Sequence, residues 1–270
     1  MTFFTGIGDI SVFLVEPSNV QSQFMQSRLG ELGVQQIKAF HDGTTALAAM
    51  RESPPELVIS AMYLKDMTGA QLVEKIRSDE VRNDLAFILV SSETNHRYLD
   101  PVRQAGASAI LPKPFDTRQL KTALSATLDY LNPGNNQVMV ENVDIEGLRV
   151  LLVDDSRTAR AFIRHVLENL GISHITEAEN GRLAAEIIQA QYFDLVVTDY
   201  NMPEMDGKEL VEFIRGKSWQ SSVPVLMVSS ERDQNRLAAV EQAGVSAVCD
   251  KPFEPALVKR LLEKMLAGND

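Results

Sequence analysis

Five side chains in the C-terminal half are of types that do chemistry together: Asp154 and Asp155, Asp199, Ser229 and Lys251. They follow or close short β-rich apolar runs, among them 149–153, 194–198 and 223–228, of the kind that form strands buried on both faces. In a parallel sheet, functional groups gather at the carboxyl ends of the strands. Three carboxylates, one hydroxyl and one ammonium are therefore expected on one rim. Three like charges so close together repel and raise at least one pKa, unless a cation neutralises them. Magnesium fits best, because it takes carboxylates, a backbone carbonyl and retained waters, and it accompanies phosphoryl chemistry. No His and Cys set of the kind zinc prefers accompanies these strand ends.

The elements that must hold these groups alternate in type. After the apolar runs come segments of helical period, 158–170 with Ala159, Ile163, Val166, Leu167 and Leu170, and 208–215 with Leu210, Val211 and Ile214. Ser156 is placed to cap the first of these helices and Gly171 to stop it. Strand and helix in alternation imply a doubly wound parallel sheet with helices on both faces, five of each.

The pattern occurs twice. Val15-Glu16-Pro17-Ser18 answers Val153-Asp154-Asp155-Ser156, Glu56-Leu57-Val58-Ile59 answers Asp194-Leu195-Val196-Val197, and Lys113-Pro114-Phe115 answers Lys251-Pro252-Phe253. Asp42-Gly43, Ser91-Ser92-Glu93 and Ala105-Gly106 likewise answer Asn180-Gly181, Ser229-Ser230-Glu231 and Ala243-Gly244, each at an offset of 138 residues. A period this long makes each copy a whole domain rather than a solenoid unit. Asn132-Pro133-Gly134-Asn135-Asn136 breaks helices, so the chain divides into 1–131, a linker 132–147, and 148–270.

At 270 residues, 44% apolar and 23% charged, the chain is long enough for two cores and far from the composition of disorder. The net charge of −11 is spread as −3 over 1–131 and −8 over 132–270, which leaves no basic face for nucleic acid. No apolar run is long enough to span a bilayer and the N-terminus lacks a secretory pattern. The single Cys249 can form no internal disulfide, consistent with a cytoplasmic protein, and reads as a buried core thiol.

Asp154-Asp155-Ser156, Asp199-Tyr200-Asn201-Met202-Pro203, Ser229-Ser230-Glu231 and Lys251-Pro252-Phe253, in this order over 148–267, resemble the signature segments of bacterial response-regulator receivers. The resemblance implies two flavodoxin-like (βα)5 domains in tandem, the second taking a phosphoryl group from a histidine kinase or histidine phosphotransfer protein. It implies Asp199 as phosphoacceptor, with Mg2+ held by Asp199, Asp155, the Asn201 backbone carbonyl and, largely through water, Asp154. Lys251 would neutralise a phosphoryl oxygen, Ser229 would bond the new phosphate, and Asn201 and Glu231 occupy the positions that tune hydrolysis. One departure is Val248, where the family carries an aromatic switch.

The same offset maps this site in the first copy onto Glu16, Pro17, Ala61, Ser91 and Lys113. Ala61 has no nucleophile and Pro17 no ligand atom, and neither Asp66 nor Ser60 is placed to substitute. The first copy is expected to be a degenerate receiver serving as an interaction or dimerisation module, with Lys113 free to pair with Glu16. His41, His96, His165 and His174 read as surface or core fillers.

The expected function is that of a response regulator without a dedicated enzyme domain, signalling through phosphorylation-dependent contacts with itself or a downstream protein. The alternative is the regulatory input region of a larger effector such as a diguanylate cyclase. A haloacid dehalogenase-like phosphatase would need an acid where Asn201 stands, and a flavin or nucleotide binder a glycine-rich phosphate loop.

Overall fold

The computed structural model describes residues 6–78, 85–131, 138, 143–229, 234–251 and 255–267. The chain divides into two compact units, Met1–Asn132 and Pro133–Asp270. In the first unit the strands are β1 (Ser11–Val15), β2 (Gln36–Phe40), β3 (Leu57–Ala61), β4 (Ala86–Ser91) and β5 (Ala109–Pro112). They alternate with α1 (Asn19–Glu31), α2 (Gly43–Glu52), α3 (Gly69–Arg77), α4 (His96–Gln104) and α5 (Thr117–Leu131). All pairings are parallel, in the order β2-β1-β3-β4-β5.

The second unit repeats the plan with β6 (Arg149–Val153), β7 (His174–Ala178), β8 (Leu195–Asp199), β9 (Val225–Ser229) and β10 (Ala247–Asp250). Its helices are α6 (Arg157–Asn169), α7 (Gly181–Ala190), α8 (Gly207–Lys217), α9 (Gln234–Ala243) and α10 (Pro255–Ala267). Its strand order is β7-β6-β8-β9-β10. The 2-1-3-4-5 order is that of flavodoxin-like sheets, and it puts the switch in strand order at the ends of the first and third strands.

Both faces of each sheet are covered, which is why the strands are apolar without alternation. In the second unit, Leu151, Val153, Val196, Val225 and Met227 pack with Ala184, Ile188, Leu210, Val211 and Val240 of α7, α8 and α9. The intervening Val150, Leu152, Val197, Leu226 and Val228 are equally buried, as are Phe162, Val166 and Leu262 of α6 and α10. Burial of such side chains, each worth about 1.5–3 kcal/mol, is the main favourable contribution to each core.

Ser156 caps α6, its hydroxyl accepting from Ala159 N at 3.2 Å, and Gly171 takes a φ of 99° just beyond the helix. The strands differ from the expected runs by a residue or two. Asp194 stays outside β8 because its carboxylate accepts from Arg149 N at 2.9 Å, whereas Asp199 is the last residue of the strand. β9 starts only after Pro224, which has no N–H to give to a ladder. Among the described residues no helix is long and apolar enough to cross a membrane.

Candidate functional site

The carboxyl ends of β6 and β8 are neighbours in the sheet, Val153 pairing with Thr198. Asp154 and Asp155 continue β6 and Asp199 closes β8, so chain direction alone brings three carboxylates together. One oxygen of each lies within 4.8 Å of the others. Asp154 and Asp199 are buried, and Asp155 is exposed at the mouth. Lys251 follows β10, its backbone N donating to the Ser229 carbonyl at 2.9 Å. Its buried ammonium donates to Asp154 Oδ2 at 2.9 Å and lies 3.2 Å from Asp199 Oδ1.

Burial pushes the Asp199 carboxyl up, Lys251 opposes this and Asp154 adds to it, leaving the group at about 6. Burial also raises Asp154, against the pull of Lys251. For Lys251 burial works against the charge, but Asp154 and Asp199 outweigh it and hold the ammonium above its ordinary range. One cation thus serves two buried anions, and Asp154 takes the better share. Asp154 Oδ1 also accepts from Ser156 N at 2.9 Å, whereas neither oxygen of Asp199 makes a well-aligned hydrogen bond. A buried carboxylate left this way has unused acceptor capacity facing the exposed Asp155.

The loop after Asp199 is drawn tight. Gly207 N donates to the Tyr200 carbonyl at 2.8 Å, and a Cβ at Gly207 would collide with the Asp199 carbonyl oxygen. Only glycine lets α8 start this close to the acceptor strand. Asn201 is exposed and its Oδ1 accepts from Arg236 Nη2 at 3.3 Å. Arg236 also lies over the Tyr200 ring, 4.6 Å from its centroid, and donates to the Tyr200 hydroxyl at 3.2 Å. No motif singles out Arg236, because an arginine in the first turn of a surface helix is ordinary; only the structure shows that α9 reaches this loop.

Ser229 is fully buried at the end of β9, one strand over from Asp199. Glu231 lies outside the described residues. Val248 is half-buried against the core of the α7–α9 face, and Cys249 beside it is buried, its Sγ 3.6 Å from the Asp250 carbonyl.

At the counterpart positions of the first unit, Glu16 is buried and Lys113 donates to its Oε2 at 3.2 Å. Glu16 Oε1 accepts from Ser18 N at 3.0 Å, and Lys113 also donates to Gln21 Oε1. Ala61 ends β3 with no ligand atom to offer. Ser60 is buried and bonds the Ala61 carbonyl, and Asp66 caps α2 by accepting from Gly43 N and Thr44 N at 2.8 Å each. His41 places Nδ1 3.2 Å from the Glu16 carbonyl. Tyr63, offset from Asn201, donates to Glu93 at 3.2 Å.

A doubly wound five-stranded fold with an acidic rim and an apical lysine defines a class, and comparison agrees: the chain belongs to the response regulator receiver domain family, whose profile matches residues 12–125 and 150–263. These are receiver domains of two-component signalling, of the kind found in chemotaxis regulators. Among curated relatives, chemotaxis protein CheY-3 of Vibrio cholerae serotype O1 is 36% identical over 120 residues, covering 44% of this chain and 92% of that protein. Chemotaxis protein CheY of Pseudomonas aeruginosa is 36% identical over 118 residues, 44% of this chain and 95% of the relative. A solved structure of Vibrio cholerae CheY4 covers 44% of this chain and 98% of its own, at 31% identity and a TM-score of 0.41.

Proposed function

We propose that the second unit accepts a phosphoryl group on Asp199 from a phosphohistidine of a histidine kinase or phosphotransfer protein. The observation that carries this reading is the buried Asp199 carboxylate, without a well-aligned hydrogen bond and 3.2 Å from the Lys251 ammonium. An Asp199 oxygen forms the new P–O bond as the P–N bond of the donor breaks, and the departing imidazole keeps the electron pair and takes a proton from water. At neutral pH a carboxyl at about 6 is mostly ionised, hence nucleophilic. Lys251 neutralises charge on the transferring group from a fixed position, and such positioning and charge stabilisation make up most of phosphoryl-transfer catalysis.

The donor set fits a hard divalent cation, being all oxygen, with one exposed carboxylate and one buried carboxylate still able to accept. Asp155, Asp199 and the Asn201 carbonyl would hold Mg2+, with Asp154 acting largely through water. When bound, the ion supplies charge neutralisation at the phosphoryl oxygens. Ser229 bonds the phosphate once formed, and Asn201 with Glu231 sets its lifetime.

The first unit is a degenerate receiver that takes no phosphate, since Ala61 and Pro17 stand where an acceptor and a metal ligand are needed. It serves as an interaction module of this cytoplasmic regulator, and phosphorylation of the second unit changes self-association or the binding of a downstream protein. The test is incubation of the full chain with acetyl phosphate and Mg2+, wild type against Asp199→Ala. The wild type is expected to gain one phosphoryl mass and shift in gel-filtration elution. Identical behaviour of the two proteins would overturn the reading.

A further inference from the structure

The first unit contains a cavity of about 240 Å³ at the place where its acceptor carboxylate is missing. Leu14, Ile59 and Val90, from β1, β3 and β4, line its inner part, and Phe24 of α1 and Phe115 stand at its side with ring centroids 6.3 Å apart. Ala61 lines it as well, at the position where the second unit carries Asp199. A methyl group in place of a carboxylate removes both volume and charge, so the space is apolar where an ordinary receiver is ionic.

The polar groups at this cavity define what it can hold. Lys113 and Glu16 both line it and are paired with each other, so the pair contributes no net charge. The Lys113 ammonium has three donors and, among the described residues, makes two side-chain bonds, to Glu16 and Gln21. One donor remains for an acceptor on a ligand. A phosphate or carboxylate there would be desolvated beside the buried Glu16 carboxylate, which is costly. A neutral carbonyl oxygen meets the donor without that penalty. A sealed cavity of roughly 150 Å³ takes up benzene, and this larger space, open to solvent on the side of Phe24 and Lys113, has room for a single ring with a short substituent.

We propose that the first unit is a sensor pocket for a small, uncharged, largely apolar carbonyl compound, whose oxygen bonds Lys113 and whose body fills the space left by Ala61. A receiver that lost its phosphate chemistry thereby gains an input of another chemical class, independent of Asp199.

The probe is acetophenone, titrated into the full-length protein carrying labelled Ile, Leu, Val and Met methyl groups. Saturable shifts are expected at Leu14, Ile59, Val90 and Met25, which all line the cavity, and not at the strands of the second unit. α-Methylstyrene, which replaces the carbonyl oxygen by a methylene at the same size and shape, is expected to bind about tenfold more weakly, the value of one hydrogen bond to a charged donor. Benzoate is expected to be at least as weak as α-methylstyrene. Ala61→Leu fills the cavity and is expected to weaken acetophenone more than tenfold. Lys113→Met is the second variant: it should bring acetophenone down to the affinity of α-methylstyrene while α-methylstyrene binding persists, which shows the fold intact. Absence of saturable shifts, tighter binding of benzoate than of acetophenone, or equal binding by Ala61→Leu would overturn the proposal.

Discussion

Lys113 Nζ lies 3.2 Å from Glu16 Oε2, and 138 residues further on Lys251 Nζ lies 2.9 Å from Asp154 Oδ2, so the same bridge from beyond the last strand to beyond the first closes both sheets. The difference is what else the cation serves. In the second unit it must also hold Asp199 and its side chain is 3% exposed, whereas in the first the side chain is 27% exposed and answers one carboxylate. One bridge is a charge deficit awaiting a second cation, and the other is closed.

That difference predicts unequal costs for removing the two lysines. Lys251→Met strands two buried carboxylates and is expected to destabilise the second unit by about 3 kcal/mol, because breaking a buried ion pair leaves an uncompensated charge. Lys113→Met is expected to cost the first unit about 1 kcal/mol, since Glu16 keeps its bond from Ser18 and the lysine is partly solvated. Urea unfolding with amide exchange followed in each unit separately measures both. Equal costs would mean that the two sites carry the same charge balance.

Divalent cation should stabilise the second unit alone. Stability rises by RT ln(1 + [L]/Kd) when a ligand binds only the folded form, so the wild-type midpoint should climb with Mg2+ concentration. Asp199→Asn should lose most of that response. Without the ion the variant should be the more stable protein above pH 6. Asp199 titrates at about 6 instead of 3.8, so the folded state binds its proton more tightly than the unfolded chain. The stabilisation is complete below about pH 4 and is lost as pH rises through 6, and the asparagine carries no such charge.

Arg236 should couple α9 to the acceptor loop. Its cation–π contact with Tyr200 and the bond to the Tyr200 hydroxyl are together worth about 1 kcal/mol. A double-mutant cycle of Arg236→Met and Tyr200→Phe should show a coupling of about 0.5 kcal/mol. If the loop state reaches α9 by this route, Arg236→Met should also change the lifetime of the phosphorylated protein severalfold, whereas Arg236→Lys restores only part of it. Additive effects and an unchanged lifetime would leave Arg236 a surface residue.

In the first unit, Asp66 ties the loop after β3 to the start of α2. Its hydrogen bond from the Thr44 hydroxyl comes first, and bonds from Gly43 and Thr44 N add to it against a slight desolvation of this exposed group, holding the carboxyl down at about 2. A carboxyl whose folded pKa lies below its unfolded value of 3.8 stabilises the fold above that value and loses the effect as pH falls through 2. Asp66→Asn should therefore lower stability modestly at pH 7, with the gap closing toward pH 2. Thermal unfolding of the two proteins across that range is the check, and a pH-independent gap would assign the loss to packing.

What could be read from the residues is what depends on type and spacing. Asp154, Asp155, Asp199 and Lys251 follow buried strands, and a parallel sheet collects such positions regardless of side-chain detail. Ser156 and Gly171 were legible because caps have few chemical solutions. Arg236 on Tyr200 was not, because a contact between a helix and a loop 36 residues apart leaves no periodic trace. The cavity beside Ala61 was equally hidden: a missing carboxylate is visible in the sequence, but whether neighbours collapse into the space is decided by packing. His41 met Glu16 through a backbone carbonyl, which carries no residue signature.

The most direct test of the account is chemical trapping. The full chain, treated with acetyl phosphate and Mg2+, is reduced with borohydride, which converts an aspartyl phosphate to homoserine, and its peptides are weighed. Homoserine at position 199 and nowhere else is the predicted result. Reduction at a residue of the first unit, or at Asp154 or Asp155 with Asp199 untouched, would contradict the claim that the buried carboxylate beside Lys251 is the one that captures phosphate.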